Sequence, residues 1–249
     1  GNAFVITGIN TLPPRWGVGE CPDVDDSSNL DDVVGIRSAA NTGVASTDLD
    51  NVYGYPAKYV DNDPGITNAT FQNYLDYTYA TLASQPNVKV YTDNTPYSPQ
   101  PSVDNTTSPP SCLKSDLLNL GEPFRNPPLG GETIIQQCYG YFPVVHGTAD
   151  RTKFAAGARG QGTLLVDGDM ELAGGFEWDG LIIVKGSIKI NGNGNKLTGA
   201  VFAQGVDLVT AGSVSGNVEI KYSQCAVSKA VGGATLAAPV GQRSFLHLY

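Results

Sequence analysis

Few residues in this chain are of the types that do chemistry. For a carbohydrate-active enzyme the only candidates are three carboxylates, Asp167, Asp169 and Glu171, in the run "DGDMEL". A lyase or hydrolase would need one of them as a protonated general acid. Lys185 and Lys189 recur at a fixed offset from Asp167 and Glu171. Lysines so placed favour the ionised carboxylate, which is the opposite requirement. The two histidines, His146 and His247, sit in separate strand-like contexts with no catalytic partner nearby in sequence. HExxH, GxSxG and P-loop patterns are absent. These residues predict no catalytic centre and no bound cofactor.

Oxygen-rich turns are the metal candidates. "DVDDSSNLDD" offers Asp23 and Asp25, and "DNDPG" offers Asp61 and Asp63, as calcium ligands. The first run lacks the glycine and the closing glutamate of an EF-hand loop. Both also read as solvated loops with Asx turns. Tyr53, Tyr55, Tyr91 and Tyr97 are candidates for an aromatic glycan-binding surface.

The four cysteines, Cys21, Cys112, Cys138 and Cys225, form no CxxC pair, which argues against zinc and thioredoxin-like chemistry. Their even number, the few lysines and the many Asn/Asp/Thr turns predict two disulfides in an oxidising compartment. Three pairings are open. The net charge of −9 and the lack of any Lys/Arg cluster exclude nucleic acid and anionic membrane surfaces as partners. No apolar run is long enough to cross a bilayer, so no membrane span is expected. The chain opens on the strand-like "GNAFVITG", as a mature or truncated product whose upstream anchor has been lost from view would.

The elements that position these residues come from a repeat. "GTLLVDG" (162–168), "GLIIVKG" (180–186), "GAVFAQG" (199–205) and "GNVEIKY" (216–222) begin on Gly162, Gly180, Gly199 and Gly216, at a nearly constant spacing. A second short strand follows each of the first three: "DMEL", "SIKI" and "VDL". Such a period with glycine corners is the signature of a β-solenoid, whose coils bury their apolar face only by stacking. Alternation places Leu164, Ile182, Val201 and Val218 in one inward column, and Met170/Leu172, Ile188/Ile190 and Val206/Leu208 on a second side. Outward, Glu171, Lys189 and Asp207 form one ladder of alternating sign. Asp167 and Lys185, continued by Gln204 and Lys221, form another.

The fold expected is mainly β: a C-terminal β-solenoid of three to four coils behind a mixed α+β N-terminal region with one amphipathic helix. The expected divisions are an N-terminal region at 1–135, the solenoid at 136–228 and a C-terminal cap and final strand at 229–249. Residues 67–85 are the helix candidate, capped by Thr67 or Asn68, with Phe71, Leu75, Tyr79 and Leu82 on one face. Residues 91–111 read as a long Pro/Ser/Thr loop, able to carry O-linked sugar, and "SDLLNLG" (115–121) as one helical turn. Asn68 and Asn105 stand in N-glycosylation sequons. "YGYFPVVHG" (139–147) reads as a degenerate first coil. "CAVSKAVGGA" (225–234) reads as a short helix over the solenoid's end, and "RSFLHLY" (243–249) as a returning strand.

The run "GQGTLLVDGDMELAGGFEWDGLIIVKGSIK" resembles the glycine-punctuated C-terminal region of PilX-type pilus-assembly proteins, which are minor-pilin-like bacterial envelope proteins. The flanking "YFPVVHG", "YSQCAV" and "RSFLHLY" are similar to the segments that border that region. The likeness covers 160–249 well and 1–160 loosely. It carries no catalytic residue. It implies a secreted or surface protein, part of a larger envelope or filament assembly, that works through contact with other protein subunits or its own copies. An adhesin or glycan-binding module is the alternative.

Overall fold

The computed structural model describes residues 4–21, 31–38, 49–65, 73–74, 77–125, 133–207 and 218–233. The N-terminal stretch supplies β1 (Phe4–Thr7), β2 (Ile36–Arg37), β3 (Val52–Tyr53), β4 (Tyr59–Val60), β5 (Asn73–Tyr74) and β6 (Tyr77–Thr78). Helix α1 (Tyr79–Ala83) follows, then β7 (Lys89–Tyr91), β8 (Pro96–Tyr97), β9 (Val103–Asp104) and β10 (Ser111–Cys112). The repeat region supplies β11 (Val144–Gly147), β12 (Arg151–Phe154), β13 (Arg159–Val166), β14 (Asp169–Leu172), β15 (Glu177–Ile190), β16 (Asn195–Asp207) and β17 (Val218–Tyr222), and ends in helix α2 (Gln224–Gly233).

The protein is a parallel β-solenoid of about eight turns. Eight strands follow one another in the order β3-β1-β17-β16-β15-β13-β11-β7, while β8, β12 and β14 extend a further side. The turns therefore outnumber the three to four expected. The extra ones come from residues 4–7, 52–53 and 89–91, which carry no glycine-spaced repeat. One sheet thus crosses the division drawn at residue 135.

Each central coil has three short sides. In the coil of β15, residues 177–179 form the first, 181–184 the second and 187–190 the third. Gly180 turns the first corner with φ +143, in register with Gly162 and Gly199. A side chain at Gly180 would run into the carbonyl oxygen of Gly162 one coil below. Glycine is thus required there by close approach as well as by φ.

The interior is one continuous apolar core. Val145, Leu164, Ile182 and Val201 stack in register on the second side, and Trp178, Leu197, Ile220, Ile6 and Val52 on the first. Met170, Ile188 and Val206 are in register on the third. Val218 does not join the Leu164 column. It pairs with Asn195, because β17 lies against the first side of the coil before it. Lys221 accordingly stands beside Thr198, outside the ladder assigned to it.

The apolar runs "LLV" and "LIIV" do not alternate with polar residues, and the fold explains why. Leu165, Leu181 and Ile183 point outward into a second core, where α2 covers them with Val227, Ala230 and Val231, and Tyr79 and Leu82 of α1 join them. Helix α2 forms where expected, but it lies along the wall instead of over the end.

Helix α1 is far shorter than 67–85. Tyr77–Thr78 pairs antiparallel with Asn73–Tyr74, and Thr78, in place of Thr67 or Asn68, makes a capping box with Thr81. Aromatic and β-branched residues in "NYLDYTY" favour the strand pair. Phe71 and Leu75 lie outside the described residues. The stretch 91–111 is also more ordered than a bare loop. Its β8 pairs with β12, and β9 and β10 form a hairpin. Residues 115–121 make successive turns without a helix, stopped by Gly121 at φ +79.

Both expected disulfides are present. Cys21 bonds Cys225 at the start of α2, and Cys112 bonds Cys138. Their presence fits an oxidising environment. No helix of the described residues is long and apolar enough to cross a membrane.

Candidate functional site

Among the described residues, a group of interacting charged side chains lies on the outer face of the first side. There Trp178 and Leu197 point in, so their neighbours point out. This sets two columns in register: Arg159, Glu177, Lys196 and Glu219; and Gln161, Asp179, Thr198 and Lys221. Segments around Pro14–Trp16 and Glu122–Arg125 lie over them. Trp16 is held by an indole N–H donated to the Pro123 carbonyl at 3.0 Å.

Glu177 bridges Lys196 at 3.2 Å and Arg15 at 3.9 Å. Arg15 and Arg159 both stack on the Phe124 ring, at 3.7 and 4.7 Å from its centroid. Arg125 lies between the Trp16 and Tyr139 rings and donates to the Tyr139 carbonyl at 2.8 Å and Gln161 Oε1 at 2.9 Å. Glu122 accepts from the backbone of Phe124 and Ile135 and from Arg159 Nη2, the last at 2.9 Å. Burial still leaves its carboxyl above the usual range, although those donors and Arg159 pull it down.

Asp179 is the unusual member. Burial pushes its carboxyl up to about 7, with Arg125 opposing and Glu177 reinforcing. A group that is half protonated near neutrality, close to a second carboxylate on the same strand, has the protonation behaviour of a general acid. The room around it does not suit a substrate. The space between Pro14, Arg15, Pro123, Phe124, Glu177, Asp179, Lys196 and Thr198 is about 20 Å³. That holds about one water and no sugar ring.

The carboxylates singled out from sequence sit elsewhere and are engaged. Asp167 Oδ1 takes Lys185 Nζ at 2.6 Å, and Oδ2 takes His146 Nε2 at 2.8 Å. Burial pushes the Asp167 carboxyl up, but the Lys185 hydrogen bond and His146 outweigh it and leave it below the usual range. Lys185 also lies 4.0 Å from the centre of the Tyr79 ring. His146 thus has a carboxylate partner, and the other oxygen of that carboxylate is taken by Lys185. Asp169 Oδ1 accepts the Ser187 backbone N–H at 2.9 Å. Glu171 is in register with Lys189, pairs with Arg151 at 3.7 Å and accepts from Asn191 Nδ2 at 2.9 Å. His247, Asp23 and Asp25 lie outside the described residues.

Asp63 is committed to Arg37, with Nε at 2.6 Å, and to the Gly65 N–H at 2.9 Å. That backbone bond and then Arg37 hold it below the usual carboxylate range. Calcium at Asp61 and Asp63 would have to displace the guanidinium. Among the described residues no three His, Cys, Asp or Glu side chains gather to hold a metal.

The four tyrosines divide. Tyr91 is buried and stacked on Tyr97 at 3.8 Å, within the core. Tyr53 and Tyr55 are exposed, and so is Tyr59, at one end of the solenoid. The sequence reading missed Glu122, Arg125 and the pair Glu177/Asp179. The pair was visible in "FEWDG", where an aromatic flanked by acids in a strand puts both acids on one face. Comparison with family models, curated proteins and solved structures finds no match to this chain.

Proposed function

We propose that the protein is a non-enzymatic structural subunit of the bacterial cell envelope or of a surface filament, acting by protein–protein assembly. One observation carries this reading: the two ends of the solenoid expose unlike apolar sets. Around the outermost strand β3, Ile9, Tyr53, Tyr55 and Tyr59 are exposed. At the opposite end, Val90 of β7 and the adjoining Leu117 and Leu118 are exposed. Seven strand spacings of ~4.8 Å separate these ends by roughly 34 Å. Unlike patches at opposite ends favour head-to-tail contacts, which propagate as filaments. The wall residues His146, Asp167 and Lys185 are engaged with one another, which also supports a structural role.

Sedimentation of wild type, Tyr55→Asp and Leu117→Asp tests this. Wild type should assemble as concentration rises, each variant alone should stop at small species, and an equimolar mixture should give dimers through the remaining intact ends. A wild-type protein that stays monomeric at high concentration refutes it. The exposure of Tyr53, Tyr55 and Tyr59 also favours a second reading, a glycan-binding surface. Retention on a polysaccharide panel, lost on Tyr55→Ala without loss of assembly, would select it.

A further inference from the structure

We propose that the tip of the β9–β10 hairpin is a covalent glycan-attachment site, with the Ser108 hydroxyl as acceptor. The tip reads Asn105-Thr106-Thr107-Ser108-Pro109-Pro110, and all six residues, with Ser111 after them, are exposed. Nothing else in the described structure offers so long an exposed run rich in hydroxyls and proline. Such composition marks segments that carry O-linked sugar and need no packed core.

The tip is presented rigidly. Asp104 Oδ1 accepts the Thr106 N–H at 2.8 Å and its hydroxyl at 2.6 Å, closing an Asx turn. The Thr107 hydroxyl donates to the Asp104 carbonyl at 3.1 Å and lies 3.0 Å from Ser111 Oγ. At the base, Cys112 is bonded to Cys138. Asn119, which is buried, donates to the Ser102 and Leu113 carbonyls, each at 3.0 Å. The hairpin is therefore fixed to the solenoid while its tip faces solvent. Thr106 and Thr107 commit their hydroxyls to the turn. Ser108 makes no hydrogen bond among the described residues, so its oxygen is free to react.

Three chemistries compete for an exposed Ser-Pro. Phosphorylation draws on nucleotide inside the cell, whereas two disulfides point to an oxidising compartment. A phosphate would also face Asp104 nearby and meet like-charge repulsion. Proteolysis is opposed by the two consecutive prolines. Glycosyl transfer meets neither obstacle. A transferase would use a sugar activated as a glycosyl phosphate. Ser108 Oγ attacks the anomeric carbon, the bond from that carbon to the phosphate oxygen breaks, the phosphate leaves with the electron pair, and the hydroxyl proton passes to a base of the transferase. A hydrophilic glycan here would project into solvent from a hairpin that Cys138 and Asn119 hold against the solenoid.

Mass spectrometry of the peptide spanning this hairpin, from protein purified from its natural source, tests the proposal. Sugar mass increments that fragment to Ser108, are released by β-elimination and resist amidase are expected. The Ser108→Ala protein, produced in the same source, should lose most of the modification while its elution volume and unfolding midpoint stay unchanged. An unmodified hairpin overturns the proposal. So does glycan on Asn105, released by amidase, or a phosphate on Ser108.

Discussion

The buried carboxyl of Asp179 should make stability fall as pH rises from about 4 to about 7, and Asp179→Asn should remove that fall. An unfolded aspartate ionises near 3.8, whereas this one holds its proton to about 7. Below pH 4 both states are protonated, so the group contributes no pH dependence. Between 4 and 7 the unfolded chain releases the proton and the folded one keeps it, so stability declines with rising pH. Above 7 the loss is complete. The interval from 3.8 to about 7 corresponds to roughly 4 kcal/mol at 1.36 kcal/mol for each tenfold change in proton activity. For a chain of this length that is worth about 10 °C in melting temperature. Asparagine has a similar shape and carries no charge at any pH.

The measurement is urea unfolding of wild type and Asp179→Asn at pH 5, 6, 7 and 8. The readout is the variant-minus-wild-type difference, in which every other titrating group cancels. The difference should climb by a few kcal/mol across that series in favour of the variant. Glu177→Gln removes the neighbouring negative charge, so the wild-type decline should move to lower pH in that background. A difference that is flat with pH, or that slopes the other way, refutes the burial of a protonated Asp179 beneath Trp16 and Arg125.

Other expectations follow from single contacts. Gly180→Ala should cost at least ~1–3 kcal/mol through its positive φ alone, and more from collision with the Gly162 carbonyl, read as a lowered urea midpoint. Glu122→Ala should cost about 3–5 kcal/mol by stranding the buried Arg159 guanidinium. Ile182→Ala should cost about 2–5 kcal/mol, since it opens a cavity in the centre of the interior stack. The loops closed by the disulfides span 204 and 26 residues, so replacing Cys21 and Cys225 by serine should cost about 5 kcal/mol, against ~3–4 kcal/mol for Cys112 and Cys138. Equal losses from the two pairs would argue against loop closure as the source.

The sequence exposed the middle of the fold because the middle repeats. Gly162, Gly180 and Gly199 share a corner, so their spacing set the register of Leu164, Ile182 and Val201. Val218 was misplaced because a strand after a glycine does not announce which of three sides it joins. The turns contributed by β1, β3 and β7 carry no repeat: "AFVITG" reads as a strand, but nothing in it says that it joins the solenoid, since each of the three is very short and pairs with residues far away in sequence. The acid pair Glu177/Asp179 was readable as a pair, but the proton on Asp179 was not. It depends on burial, and the residues around Asp179, Trp16 and Arg125 among them, arrive from separate segments far upstream in the chain, although Arg125 itself pulls the carboxyl down. Likewise the doubled apolar runs of the second side signalled a covering layer, while α2 could be read only as a helix of unknown seat.

That long-range closure separates this solenoid from a simple linear array. In a linear array each repeat touches only its sequence neighbours, so the ends can be trimmed coil by coil. Here the last coil, β17, is followed in space by the first strand, β1, with Phe4 against Val218 and Ile6 against Ile220. Thr11 and Asn10 bond the Tyr222 carbonyl and the Gln224 N–H, and Cys21 is bonded to Cys225 in the same region. The N-terminal segment also runs beneath the Arg125 cluster to cover Asp179. The single stretch from Phe4 to Cys21 therefore adds a turn to the solenoid, locks α2 in place and seals the charged face. Its pairing joins opposite ends of the described chain, so it forms only when both are present. The coils from β11 to β16 can form from contacts closer in sequence, whereas the β1 turn gains its contacts only after β17 is in place.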